Sequence, residues 1–175
     1  RVGTMTRAGL TAALSVGLLA VSFGCKPLPQ VADGETEAAR PTEDFDYAAY
    51  IEAVYNKHDP EAIDRFFSPS VKVHSVAPDA EGGEGTAYLK DLAKNLITAF
   101  PDVKLSVDEV IRDKDRLAAR VTLEGTHQGA FAGIKPTGKR VKAANFAVYR
   151  LANGKIAEVW SLTDVAALTR QLTQK

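Results

Sequence analysis

The hydrophobic period of the chain changes at Asp102, and few folds accommodate that change. Before it, Tyr47, Tyr50, Ile51, Val54 and Tyr55 recur at helical spacing. Asp59-Pro60 opens a second short helix, with proline at its first position and Ile63, Phe66 and Phe67 on its apolar side. Val71 to Val76 alternates as a short strand, and Leu89, Leu92, Leu96 and Ile97 form the stripe of a third helix with Thr86 as its expected N-cap. After Pro101-Asp102 the period is two: residues 103–112, 117–127, 141–151 and 155–162 read as strands rich in β-formers. The turns Asp113-Lys114-Asp115 and Asn153-Gly154 join neighbours as hairpins, and Val165, Leu168 and Leu172 mark a closing helix. Helices first and an antiparallel meander afterwards predict an α+β domain, helices gathered on one face of the sheet.

The sequence ahead of that domain is of a different kind. Arg7 precedes an apolar and small-residue stretch from Ala8 to Gly24, which ends at Cys25, the one cysteine of the chain. A basic end, a short apolar core and a small residue before a cleavage point read as a signal peptide over residues 1–25. The stretch is shorter than the roughly 20 apolar residues a spanning helix needs. Gly24-Cys25 resembles a bacterial lipobox, although Ser22 stands where a branched aliphatic residue is usual. That resemblance implies a lipid on Cys25, export, and anchoring at the cell envelope or periplasm. Residues 26–43 carry Pro27, Pro29, Gly34 and Pro41 among charged and small residues, a composition expected of a flexible linker. Residues 44–175 are then the folded domain. Its roughly 130 residues suffice for one core without disulfides.

Four short motifs occur in order along that domain. They are Ala99-Phe100-Pro101-Asp102, Gly125-Thr126-His127-x-Gly129, Pro136-Thr137-Gly138, and Gly154-Lys155-Ile156-x-Glu158-x-Trp160 followed by Asp164. Together they resemble the SnoaL-like polyketide cyclase and ester cyclase family, within the nuclear-transport-factor-like superfamily, over residues 46–172. The resemblance implies a cone-shaped domain in which three N-terminal helices and a curved antiparallel sheet enclose a pocket. It also implies intramolecular ring closure on a ketone or ester without any cofactor, an aspartate just past the last strand acting as general acid and base. By position that residue is Asp164. The family's helper histidine falls near Arg150, a departure that instead favours binding an anionic or carbonyl-rich ligand, or pairing with Glu158.

Read from the residues, each candidate has two roles open to it. Asp164 stands where a strand gives way to a helix, so its carboxylate either faces a pocket or caps the first helical amides. His127 shares the apolar face of Leu117, Val121 and Leu123, and either assists Asp164 and a ligand carbonyl or is satisfied by a backbone carbonyl near Gly129. His74, beside the loop 78–85, is rim, ligand contact or packing. Alternation groups Glu158 and Trp160 with Ile156 and Leu162, which makes Glu158 a pocket carboxylate or the partner of Arg150 or Arg120. Phe131 is counted with His74, Arg150, Glu158 and Trp160 among the pocket side chains.

Composition narrows the partners. With 22 basic and 22 acidic residues the formal charge is zero, so no long-range field favours nucleic acid. His58, His74 and His127 lack metal-ligand spacing and cysteine partners, and no metal is expected. The family resemblance implies a small apolar or carbonyl-containing molecule and a second copy docked on the sheet's outer face as partners, and the lipobox resemblance implies a membrane reached through the lipid. Three functions remain open: a cyclase or isomerase, a ligand-binding lipoprotein, and a dimeric interaction module.

Overall fold

A computed structural model describes residues 45–76 and 81–174. Cys25, the signal-peptide reading and the linker reading lie outside these residues. Among the described residues, no helix is long and apolar enough to cross a membrane.

The α+β expectation holds. Helix α1 (Tyr47–Ile51) is capped by Asp46, whose Oδ1 accepts the Ala49 amide at 2.9 Å. It runs into a turn of π-helix, Glu52–Asn56, closed by Lys57 N–H donating to the Glu52 carbonyl at 2.9 Å. A 3-10 turn (Pro60–Ala62) with proline at its start leads into α2 (Ile63–Phe66). Strand β1 (Phe67–His74) follows, then the two-residue β2 (Gly83–Glu84) and the long α3 (Gly85–Ala99). Helix α3 begins one residue before Thr86, which therefore lies in the first turn and does not cap it. Four long strands complete the sheet: β3 (Lys104–Asp113), β4 (Arg116–Thr126), β5 (Arg140–Ala152) and β6 (Lys155–Thr163). Helix α4 (Val165–Thr173) closes the domain.

The sheet is curved and unclosed, with strand order β2-β1-β6-β5-β4-β3. Strands β3 to β6 are an antiparallel meander, and β1 lies parallel to β6. Asn153 (φ 53°) and Gly154 (φ 74°) both take the left-handed conformation that a two-residue hairpin turn requires. One face of the meander carries Leu117, Val121, Leu123, Ala147, Tyr149 and Val159, all buried. Helices α1, α3 and α4 lie over that face, and Leu168 and Leu172 of α4 are buried against it. Each such leucine contributes on the order of 1.5–3 kcal/mol.

Asn56 pins the helical segment to the sheet. Its Nδ2 donates to the Leu105 carbonyl at 3.1 Å and its Oδ1 accepts the Leu105 amide at 2.8 Å, as a neighbouring strand would. The β5–β6 ladder carries a register shift: Arg150 pairs with Glu158, but Leu151 pairs with Ile156. That extra residue in β6 is a bulge, and it turns Ile156 into the core while Glu158, Trp160 and Leu162 stay on the outer face. Strict alternation placed Ile156 and Glu158 together; the bulge separates them.

Candidate functional site

Between the helices and the inner sheet face lies a cavity of about 450 Å3. This falls within the roughly 300–1,000 Å3 of small-molecule sites. Its wall is largely apolar, with Ile51, Phe67, Leu89, Leu96, Leu105 and Val121 among the residues that form it. Leu92, Ala132 and Val165 line it and are also exposed, which marks the mouth between α3, the loop after β4, and α4.

Polar groups occupy three places in the wall, one of them the exposed Asn95 of α3. At another, Tyr47 and Tyr149 hydroxyls meet at 3.1 Å and the Tyr50 hydroxyl donates to that of Tyr55 at 3.4 Å. The rings are contiguous: Tyr47 lies 5.6 Å from Tyr50 and 5.5 Å from Tyr149, and Tyr50 lies 5.9 Å from Tyr55. The π-turn builds this group. In an α-helix, positions i and i+5 diverge by about 140°, whereas a turn closed from i to i+5 returns them to one face. Burial pushes the Tyr47 phenol up to about 12 and raises Tyr50, Tyr55 and Tyr149 as well. All four are therefore neutral hydroxyls at physiological pH. At the third place Asn145 Nδ2 donates to Ser161 Oγ at 2.9 Å and Thr163 Oγ1 at 2.8 Å. No described residue of the wall is a carboxylate, imidazole, lysine or arginine.

The sequence-derived site residues of the domain divide among four locations. Phe131 lines the cavity. Asp164 stands between two wall residues, Thr163 and Val165, but its own side chain is exposed and Oδ1 accepts the Ala167 amide at 2.8 Å. Its geometry is that of the helix cap. His127 is 0% exposed but is not part of the wall. It packs on Phe100 at 5.5 Å, and Nδ1 accepts the Thr137 amide at 3.2 Å. Its partners are thus the amide and, at 3.1 Å, the hydroxyl of Thr137 in the Pro136-Thr137-Gly138 turn, and not a carbonyl. Nδ1 being an acceptor, Nε2 carries the proton, and it has no partner among the described residues.

His74, Arg150, Glu158 and Trp160 do come together, but on the outer face and not in the cavity. Glu158 accepts from Arg150 Nε at 2.6 Å and meets His74 Nε2 at 2.7 Å. Arg150, and then His74, hold the Glu158 carboxyl below the usual carboxylate range. His74 stacks on Trp160 at 4.4 Å with the rings 4° from parallel, and the Arg116 guanidinium covers the ring at 5.4 Å. The expectation that these side chains wall the pocket is corrected by β-strand parity: their neighbours Val73, Tyr149 and Val159 face inward, so they face outward.

The family model for the SnoaL-like polyketide cyclases matches residues 46–172. The chain belongs to the SnoaL-like polyketide cyclase family. Solved structures agree. AclR from Streptomyces galilaeus, a proposed hydroxylase, is 32% identical with a TM-score of 0.62, over 71% of this chain and 77% of its own. A SnoaL-like polyketide cyclase from Agrobacterium tumefaciens is 25% identical with a TM-score of 0.61, over 76% and 98%. IdmH from Streptomyces antibioticus, a proposed polyketide cyclase, is 26% identical with a TM-score of 0.60, over 73% and 98%. No curated protein matches the chain in sequence.

Three of the four motifs that carry the SnoaL-like resemblance meet in one corner beside the cavity. The amides of Gln128 and Gly129 both donate to the Ala99 carbonyl, at 2.9 and 3.0 Å. Asp102 accepts the Thr126 amide at 2.6 Å and its hydroxyl at 2.7 Å. Gly138 N–H donates to the His127 carbonyl at 2.9 Å. The corner fixes the end of α3 to the end of β4, so the motifs report the fold more than the chemistry.

The wall tyrosines and the Asn145 group were not singled out in the sequence. A signal was present: four of the five tyrosines of the chain are in this wall, and three of them supply a helical stripe that aliphatic residues would fill without needing hydroxyl partners.

Proposed function

We propose that this SnoaL-like domain binds a small, mainly apolar molecule carrying a carbonyl or hydroxyl oxygen in the cavity between its helices and sheet. The observation that carries the reading is the composition of the wall: aromatic and aliphatic side chains, with neutral hydroxyls and the amides of Asn95 and Asn145 as its polar side chains. Neutral donors and acceptors in an apolar site select an uncharged ligand, since a charged one would lose its hydration without a counter-charge. A suitable probe is 2-acetylnaphthalene titrated into the full chain. Ser161→Phe, whose ring would fill part of the cavity, is expected to weaken binding about tenfold or more. Equal binding by both proteins would contradict the reading.

A second reading is turnover of the ketone or ester class by the family's acid/base chemistry. The position of Asp164 in the chain between Thr163 and Val165, which both line the cavity, supports it. In that case Asp164→Asn loses turnover of a ketone or ester substrate but keeps binding of the probe.

The proposal extends to location and assembly. The lipobox-like Gly24-Cys25 sequence supports lipid attachment and an envelope location. Incorporation of a labelled fatty acid into the wild type and not into Cys25→Ser tests it. The outer sheet face supports a homodimer: Ile111, Phe146, Val148 and Leu162 are exposed side by side, with Arg120 and Glu109 of opposite charge on the same face. A two-fold pair of such faces is self-complementary.

A further inference from the structure

The tyrosine cluster leaves two hydroxyl protons without an acceptor among the described residues. In each pair one hydroxyl donates to the other, at 3.1 Å for Tyr47 and Tyr149 and at 3.4 Å for Tyr50 and Tyr55. The proton of the accepting hydroxyl then has no acceptor among the described residues. Both internal bonds are longer than the usual 2.7–2.8 Å between hydroxyls, so a good acceptor oxygen could replace them. The group is also single in character. With the phenols raised by burial, these side chains donate a proton and do not offer a phenolate. The Asn145 group differs: both protons of Nδ2 are used, which leaves Oδ1 as an acceptor beside the two hydroxyls.

We propose that the Tyr47, Tyr50, Tyr55 and Tyr149 cluster is the carbonyl-recognising end of the cavity, its unused O–H protons donating to a ketone or ester oxygen of the bound molecule. The inference rests on the cavity reading above and adds ligand class and orientation. A carbonyl points to the tyrosines, and the opposite end of the ligand reaches the Asn145, Ser161 and Thr163 group. The π-turn is part of the site, since it brings Tyr55 beside Tyr50.

The test compares two probes of similar shape, 2-acetylnaphthalene and 2-isopropylnaphthalene, on the full chain and on its Tyr55→Phe and Tyr149→Phe variants. The carbonyl stretch of the bound ketone is read by infrared difference spectroscopy. In the wild type the stretch should lie below its value in hexane. Each variant should move it back upward and lower ketone affinity about three- to tenfold, leaving hydrocarbon affinity unchanged. Phenylalanine keeps the ring packing, and near-ultraviolet circular dichroism of each variant checks the fold. Should Tyr55→Phe unfold the chain, 3-fluorotyrosine labelling provides the second measurement: a more acidic phenol should lower the stretch further. A bound ketone whose stretch ignores both changes would overturn the tyrosine end while leaving the cavity reading standing. Failure of both probes to bind would overturn the cavity reading with it.

Discussion

Asp164 Oδ1 accepts the Ala167 amide, and that bond accounts for its place at the start of α4. Asp164→Ala should therefore cost about 1 kcal/mol of stability, read as a lower urea midpoint, with probe affinity unchanged. Glu158 makes a different prediction, on pH. Its carboxyl is depressed by Arg150 and then His74, so its contribution is complete above the unfolded value of about 4.3 and is lost as pH falls through the lower folded value. Glu158→Gln should be less stable than the wild type at pH 7, and the gap should narrow below about pH 4, as urea midpoints at pH 7 and pH 3 would reveal. A gap that widens in acid would contradict the pairing. At this scale the sequence was legible where one neighbour decides the role. The cap of Asp164 follows from a strand-to-helix junction. The partner of His127 does not, because it lies in a turn that returns from later in the chain.

Strand parity decides which side chains face the cavity, and one extra residue in β6 is enough to change it. Ile156 reads as a companion of Glu158 under strict alternation, but the shift between Arg150 and Leu151 sends it to the core. Bulges leave no mark in a hydrophobic pattern of this length, which is why alternation groups Glu158 and Trp160 with Ile156. The π-turn is equally silent in sequence: Tyr50 and Tyr55 sit five apart, a spacing that ordinary helical geometry separates. By contrast, the four long strands, the Asn153-Gly154 hairpin and the closing helix were all read within a residue or two, because periodicity and turn residues agree there. The corner that joins α3 to β4 is testable at this scale. A Cβ on Gly129 would stand 2.2 Å from the Thr98 carbonyl oxygen and 2.9 Å from the Ala99 Cα, both backbone. Gly129→Ala should lose about 1–3 kcal/mol or more, seen in thermal unfolding, while Gly133→Ala, with nothing near its Cβ and only its positive φ at issue, should lose less.

For the whole molecule, we propose separate tasks for the two faces of the sheet, binding for the inner face and assembly for the outer. Phe146→Lys, on the outer face and 55% exposed, should turn a dimer into a monomer in sedimentation velocity and leave probe binding intact. A wild-type chain that sediments as a monomer at all concentrations would remove the assembly proposal. The chain provides its own reporter for this division, since its one tryptophan, Trp160, lies on the outer face between His74 and Arg116. A cavity ligand that does not absorb in the tryptophan emission band should leave its emission unchanged. The measurement that bears most directly on the cavity claim is a map of amide and side-chain chemical shifts during titration of the full chain with 2-acetylnaphthalene. The largest changes should fall on Tyr149, Asn145, Leu96 and Leu168, with His74 and Trp160 still. Changes centred on Trp160, Phe146 and Leu162, with Tyr149 and Asn145 unmoved, would put the ligand on the wrong face of the sheet and contradict the account.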